Sequence, residues 1–315
     1  METKEFIKFL EEKNFAPKTI KTSVRYVERF FKWEKVQDEQ VTKPDILRYL
    51  EYLKNRKDLQ NCSLRQYLSA LNHYFKCLQN NGHIEKNPCN LLKIRGQKRN
   101  VLYKTYTEQE LDTLFDNFYH CFVRNFDDKR YRCEQQREIA ALGRERNALI
   151  LNVLINQGVT TGEIEKIEIS DLNLLKATLK IRGGRRSNER TIPLKATQIG
   201  LFMNYLKNIY PQLFDYQTNE SDNLFLLLPQ GNQKKTKNET LNNLFQKLTE
   251  QVKSIDRQFL NFKQVRTSVI TNWLKTNNLR KTQYLAGHRY ISSTERYLPN
   301  NIDDLIENIN KMHPF

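Results

Sequence analysis

Apolar residues recur at helical spacing from the first residues of the chain. Residues 2–12 carry the pattern of a short helix. Pro17 fits the first turn of a second. Behind it Ile20, Val24, Val27 and Phe31 fall three and four apart and predict its buried stripe. Lys18, Lys21, Arg25, Arg29 and Lys32 follow the same spacing on that helix and form a separate basic ridge. Thr42 with Asp45 reads as a capping box for a third helix, with Ile46, Leu47, Leu50 and Leu53 on its apolar face. Ser63 opens a fourth. Leu64, Tyr67, Leu68, Leu71, Phe75 and Leu78 point inward there, and Arg65, Ser69, Asn72, His73 and Lys76 outward. Asn81-Gly82 ends that helix in a left-handed turn, and Asn87-Pro88 closes the set.

The pattern then lapses. Residues 93–106 hold Gly96 and five basic side chains with little apolar periodicity, which predicts a linker. Thr107 to Glu110 is another capping box and starts a second domain, with Leu111, Leu114 and Phe115 inward. Residues 117–141 mix aromatics with charges and read as a helical insertion. Residues 144–156 are helical, with Ala148, Leu149, Leu151, Val153, Leu154 and Ile155 buried. Two β-rich runs, Ala177 to Ile181 and Arg190 to Leu194, flank a Gly-led turn and predict a hairpin. Helices follow over 196–208, 238–254 and 264–275, with the apolar Leu224 to Leu228 between the first two and Trp273 as a core residue of the third. Ile302, Leu305, Ile306, Ile309 and Met312 make a last amphipathic helix. The expected fold is mainly α with a small antiparallel β-sheet, in two domains over 1–92 and 107–315, as a length of 315 residues suggests.

Charge narrows the partners. The chain has 52 Lys+Arg against 36 Asp+Glu, a net charge of +16, with +9 in the first 100 residues and +7 in the rest. Both halves can therefore contact a polyanion, nucleic acid before others. No apolar run is long enough for a bilayer, and the charged start of the chain lacks a signal-peptide core. The five cysteines have no CxxC spacing. They read as reduced thiols of a cytoplasmic protein, with neither a disulfide framework nor a metal site indicated.

The chemistry gathers between Lys263 and Tyr297. Arg266, the pair Gly287-His288 and Tyr297, nine residues after the histidine, occur in that order near the carboxyl end. Together with Leu285-Ala286 and Ser293-Thr294 they resemble motif II of the tyrosine recombinase (phage-type integrase) family. Phosphodiester transfer needs a nucleophile, positive charge on the non-bridging oxygens and a proton donor for the leaving 5′ oxygen. Tyr297 can supply the nucleophile, Arg266 a two-pronged grip on phosphate, and His288 a hydrogen bond or a proton path.

The resemblance implies an N-terminal helical core-binding domain over 1–92, a basic linker over 93–106 that lets two domains close round a duplex, and a catalytic domain over 107–315. It implies double-stranded DNA as partner, a tetramer on DNA linked through the last helix, a nucleoid location and no cofactor. It covers nearly the whole chain, with departures. Gly158 to Ile164 resembles motif I, T-G-L-R-x-S-E-L, with Gly158, Glu163 and Ile164 in register, but Thr160 stands where its arginine falls. The hairpin lysine of the family is replaced by Arg185 and Arg186, which clamp phosphate and are poor proton donors. Lys263 occupies a position that the family gives to histidine or lysine. The expected site is thus rewired: Arg266 with Arg185 or Arg186 on the phosphate, Lys263 and His288 managing protons, Tyr297 attacking. The basic ridge, Lys18, Lys21, Arg25 and Arg29, would lie along the DNA backbone. The reading is site-specific strand exchange through a 3′-phosphotyrosine. Two alternatives stay open, a DNA-binding relative impaired in catalysis and relaxation of the type IB topoisomerase kind.

Overall fold

Phe30 of the second helix sits between Tyr49 of the third, at 5.1 Å, and Phe75 of the fourth, at 6.4 Å, both edge to face. Around such contacts the first of two units, Met1–Val101, is built. The structure, a computed structural model, describes residues 3–96, 104–125, 131, 133–184, 187–217, 221–228 and 239–298. Its first unit holds α1 (Thr3–Glu12), α2 (Pro17–Glu34), α3 (Lys43–Lys57) and α4 (Asn61–Asn80). α2 lies against α4, and both α1 and α3 pack on the pair. The core includes Phe6, Leu10, Val27, Ile46, Leu71 and Tyr74.

The capping box of α3 forms as expected: the Thr42 backbone N–H and hydroxyl both donate to the Asp45 carboxylate, at 2.8 and 2.6 Å. Some details differ from the pattern reading. Phe30 is enclosed where Phe31 is only half-buried, because Phe31 reaches Tyr74 from the side of the stripe. Leu47 is exposed; the inward arc of α3 runs through Ile46, Tyr49, Leu50 and Leu53, and Leu47 lies about 60° beyond its edge at Leu50. α4 starts at Asn61 rather than Ser63, whose backbone N–H already donates to Gln60 O at 2.8 Å.

The second unit, Leu102–Phe315, begins with α5 (Glu108–Tyr119), capped by the Thr107–Glu110 box and continued by a wide turn over His120–Arg124. α6 (Glu134–Gln157) then crosses the core, running without a break from the end of the expected helical insertion into the helix expected over 144–156. Ile139, Leu142 and Arg146 carry its inward face backwards. Gly143 does not break it, because the missing side chain is the space that Leu228 fills: a Cβ there would lie 2.6 Å from that leucine's Cδ1. Arg146, also inward, is paired with Glu239 at 2.9 Å and donates to Leu226 O at 2.6 Å. This ties down the apolar 224–228 segment, which forms no strand.

After the short α7 (Thr161–Ile164) come β1 (Leu172–Asn173), β2 (Thr178–Ile181) and β3 (Arg190–Pro193), an antiparallel sheet in that order. Register sets Leu179 opposite Ile192 and Ile181 opposite Arg190, and all four are buried. α8 (Ala196–Asn204), α9 (Tyr210–Phe214), α10 (Leu241–Ile255), α11 (Phe262–Thr276), α12 (Leu279–Ala286) and α13 (Ile291–Glu295) follow among the described residues. Trp273 packs on its core, as expected. The predicted helix over 302–312 and the basic loop over 231–237 lie outside the described residues.

Candidate active site

α11 is capped by Asn261, whose side chain accepts the Gln264 N–H at 3.1 Å. That places Arg266 in its second turn, buried. The guanidinium donates to Gly158 O, at the end of α6, and to Ala286 O, at the end of α12, at 2.7 Å in the latter case. A cation thus sits where two helices direct their terminal carbonyls, the favourable end of each dipole. Gly158 can close α6 there because its φ of +55° suits glycine and a Cβ would meet Val269 at 2.9 Å.

His288 follows the end of α12. Its Nε2 lies 3.4 Å from Arg266 Nη2, and its Nδ1 2.9 Å from Thr294 Oγ1. Arginine can only donate, so Nε2 accepts and the ring proton sits on Nδ1, donated to Thr294. Burial, followed by the charges of Arg266 and Arg190, pushes the imidazole down to about 4. It is neutral at pH 7. Tyr297, held by its N–H on Thr294 O at 3.0 Å, stacks on that imidazole with centroids 5.6 Å apart and planes 17° from parallel. Burial disfavours the charge on Arg266, and the nearby Tyr297 phenol is among the groups that favour it. Arg266, His288 and Tyr297 therefore share one pocket.

A carboxylate and a second guanidinium lie behind them. Glu163 accepts from Thr160 N at 2.8 Å, Thr160 Oγ1 at 2.9 Å and Arg190 Nη1 at 2.7 Å, and lies 3.6 Å from Arg266 Nη1. Burial pushes its carboxyl up. The hydrogen bond and charge of Arg190 act the other way and prevail, holding it below the usual range. Thr160 is thereby a helix cap whose hydroxyl is turned to Glu163. Pattern reading passed over Glu163 and Arg190 as site residues. The available signal was phase: Arg190 alternates with Ile192 and Leu194 on the inward face of β3, where a charge requires a partner.

The other predicted residues are placed as follows. Lys263 is exposed in the first turn of α11, three residues ahead of Arg266 and so on a neighbouring face. Arg185 and Arg186 lie outside the described residues. Beyond them the hairpin docks on the site, with Asn188 N donating to Gly287 O at 2.9 Å and Ser187 bridged to His288. Lys18, Lys21, Arg25 and Arg29 are exposed along α2 in the first unit, and the Arg29 guanidinium donates to Tyr67 Oη at 2.9 Å. Among the described residues no cluster of His, Cys, Asp and Glu could hold a metal ion.

Residues 131–303 match the phage integrase family, and residues 3–82 match the N-terminal SAM-like domain of phage integrases. The tyrosine recombinase XerC of Oceanobacillus iheyensis is 24% identical over 98% of this chain and 94% of its own. The tyrosine recombinase XerA of Pyrococcus furiosus is 25% identical over 93% of this chain and 87% of its own. Among solved structures, the XerH site-specific recombinase bound to its palindromic difH substrate in a post-cleavage complex superposes with a TM-score of 0.66 at 20% identity, covering 96% of this chain and 82% of that one. A lambda integrase dimer bound to a COC' core site superposes with 0.61 at 14% identity, covering 93% and 92%. Both structural likenesses are likenesses of fold.

Proposed function

The chain belongs to the phage integrase family, and from that membership we propose that it exchanges strands of double-stranded DNA at specific sites through a covalent 3′-phosphotyrosyl intermediate. The convergence of Tyr297, His288 and Arg266 carries this reading. Tyr297 Oη attacks the scissile phosphorus; the P–O bond to the phenol forms as the bond to the 5′ oxygen breaks. The phenolic proton passes to His288, whose Nδ1–H tautomer leaves Nε2 able to accept it. Arg266, with Arg185 and Arg186 of the hairpin, neutralises the non-bridging oxygens as charge builds on them. Lys263 hands a proton to the departing 5′ oxygen. Attack by the 5′ hydroxyl of another strand reverses the step and rejoins the DNA. The ester retains the energy of the broken bond, so the scheme needs neither nucleotide nor metal.

The DNA-bound recombinase structures of similar fold support duplex DNA as the partner. Assembly into a tetramer on two sites, in the nucleoid, follows from the strand-exchange reading. A second reading, binding without cleavage, is favoured by Thr160, which caps α7 where a motif I arginine would stand. A nicked suicide duplex separates the two. The parent chain should become trapped as a protein–DNA adduct on a denaturing gel, and Tyr297→Phe should give none while still binding the duplex. An adduct formed by the phenylalanine variant would point to another nucleophile; a parent that binds and never becomes trapped would leave the binding reading standing.

A further inference from the structure

A site built to hold a phosphodiester as it gains charge is short of one cation when Thr160 replaces the motif I arginine. Another arginine lies close by, arriving from a different element. Arg190 on β3 has no exposed side-chain surface. Its guanidinium forks onto the Glu163 carboxylate, Nη1 to Oε1 at 2.7 Å and Nη2 to Oε2 at 3.3 Å. The same carboxylate lies 3.6 Å from Arg266 Nη1. On its other side the guanidinium presses against Gly287, where a Cβ would come within 2.3 Å of Nη1. Being wholly enclosed, it cannot reach a phosphate, so any effect it has must pass through the groups it touches.

The geometry points to Arg190 as the positioning residue that stands in for the absent motif I cation: held on Glu163, it fixes Arg266 and the Gly287-His288 turn, and it supplies the second buried positive charge of the pocket. Without it Arg266 would be the charged partner left to Glu163, whose remaining donors, Thr160 N and Oγ1, are neutral. The carboxylate would draw that guanidinium away from the phosphate, and the pocket's net charge would fall by one. Burial makes such a change costly, because water screens little of it.

This inference rests on the recombinase reading, and one set of variants tests the two apart. Arg190→Gln should cleave a suicide duplex roughly 100-fold more slowly, the scale on which a lost transition-state donor is felt, with duplex binding unchanged. Adding Glu163→Gln removes the stranded carboxylate and should recover at least about tenfold of that loss, a coupling that a double-mutant cycle isolates. A purely structural role predicts a double variant as slow as Arg190→Gln or slower. The His288 imidazole, followed by NMR, should titrate at higher pH in Arg190→Gln than in the parent, and this readout does not need cleavage. If glutamine at 190 prevents folding, Arg190→Lys carries the test, with the His288 midpoint kept and cleavage about tenfold slower because the fork onto Glu163 is lost. Cleavage at the parent rate in either single variant, a static His288 midpoint in Arg190→Gln, or a double variant no faster than Arg190→Gln overturns the assignment. A parent chain that never forms an adduct overturns the recombinase reading instead, and the imidazole titration still decides Arg190.

Discussion

His288 and Tyr297 stack ring on ring, 5.6 Å between centroids, with Thr294 bonded to both: its hydroxyl to the imidazole and its carbonyl to the Tyr297 N–H. One buried threonine thus sets the distance between nucleophile and base. In the resting site the imidazole is neutral, with Nε2 free of a proton and facing the Arg266 guanidinium; it takes up the phenolic proton only as Arg266 turns to the phosphate.

That neutrality has a consequence in acid. The His288 midpoint falls from an ordinary 6.5 to about 4 on folding. Between those values the unfolded chain binds more protons than the folded one. Stability must therefore rise with pH through the window and be lost as pH falls from about 6.5 towards 4. His288→Asn removes the titrating group. The parent's melting temperature should drop more steeply than the variant's between pH 6.5 and 4.5, and equal slopes would show that His288 is not held neutral.

The Arg146–Glu239 pair offers a different test, since both groups are almost wholly enclosed and Glu239 also accepts the Leu228 N–H at 3.2 Å. Breaking a buried pair by removing one charge costs about 3–5 kcal/mol, because its partner is left without compensation. Arg146→Met should lower stability by that amount in a urea titration. Arg146→Met with Glu239→Leu should regain part of it. A single variant as stable as the parent would mean that the pair is solvated rather than enclosed.

The basic stripe on α2 makes a prediction about salt. Lys21 and Arg25 are exposed, whereas Arg29, equally exposed by position, is tied to Tyr67. If the first two neutralise phosphates, Lys21→Gln with Arg25→Gln should flatten the slope of log K against log salt by about 0.9 for each contact, close to 2 in all. The loss should be the same on specific and random duplexes, since phosphate contacts carry no sequence. An unchanged slope would remove α2 from the DNA interface.

Much of this architecture is legible in the chain, for physical reasons that also mark where legibility stops. The helices of the first unit can be read because apolar residues three and four apart have only one way to be buried together. Whether Phe30 or Phe31 enters the core cannot be read, because Tyr49 and Phe75, distant in sequence, decide it. Arg266, His288 and Tyr297 can be picked out by order and spacing. Thr160-Thr161-Gly162-Glu163 is itself a capping pattern, so the fate of the threonine was readable too. Arg190 was hidden because an arginine shortly after a glycine-led turn resembles any exposed hairpin residue. Its phase with Ile192 and Leu194 is the mark in the chain of its inward facing, and the register that sets it opposite Ile181 bears that out.

Gly287 shows how closely that hidden arginine and the visible motif depend on each other. Its φ of +67° is left-handed, which costs an ordinary residue about 1 kcal/mol. A Cβ would also stand 2.3 Å from Arg190 Nη1 and 2.9 Å from Cζ. A free side-chain end would swing away cheaply, but this one is forked onto Glu163 and enclosed. The collision should therefore outweigh the backbone strain, and Gly287→Ala should cost about 3 kcal/mol, within the range of single changes that force a core apart. In an Arg190→Ala background only the backbone share should remain, so the same substitution should cost about 1 kcal/mol there. Urea unfolding of the four proteins gives both numbers. An equal cost in the two backgrounds would show that the glycine is required by the chain's path alone, with Arg190 no part of the reason.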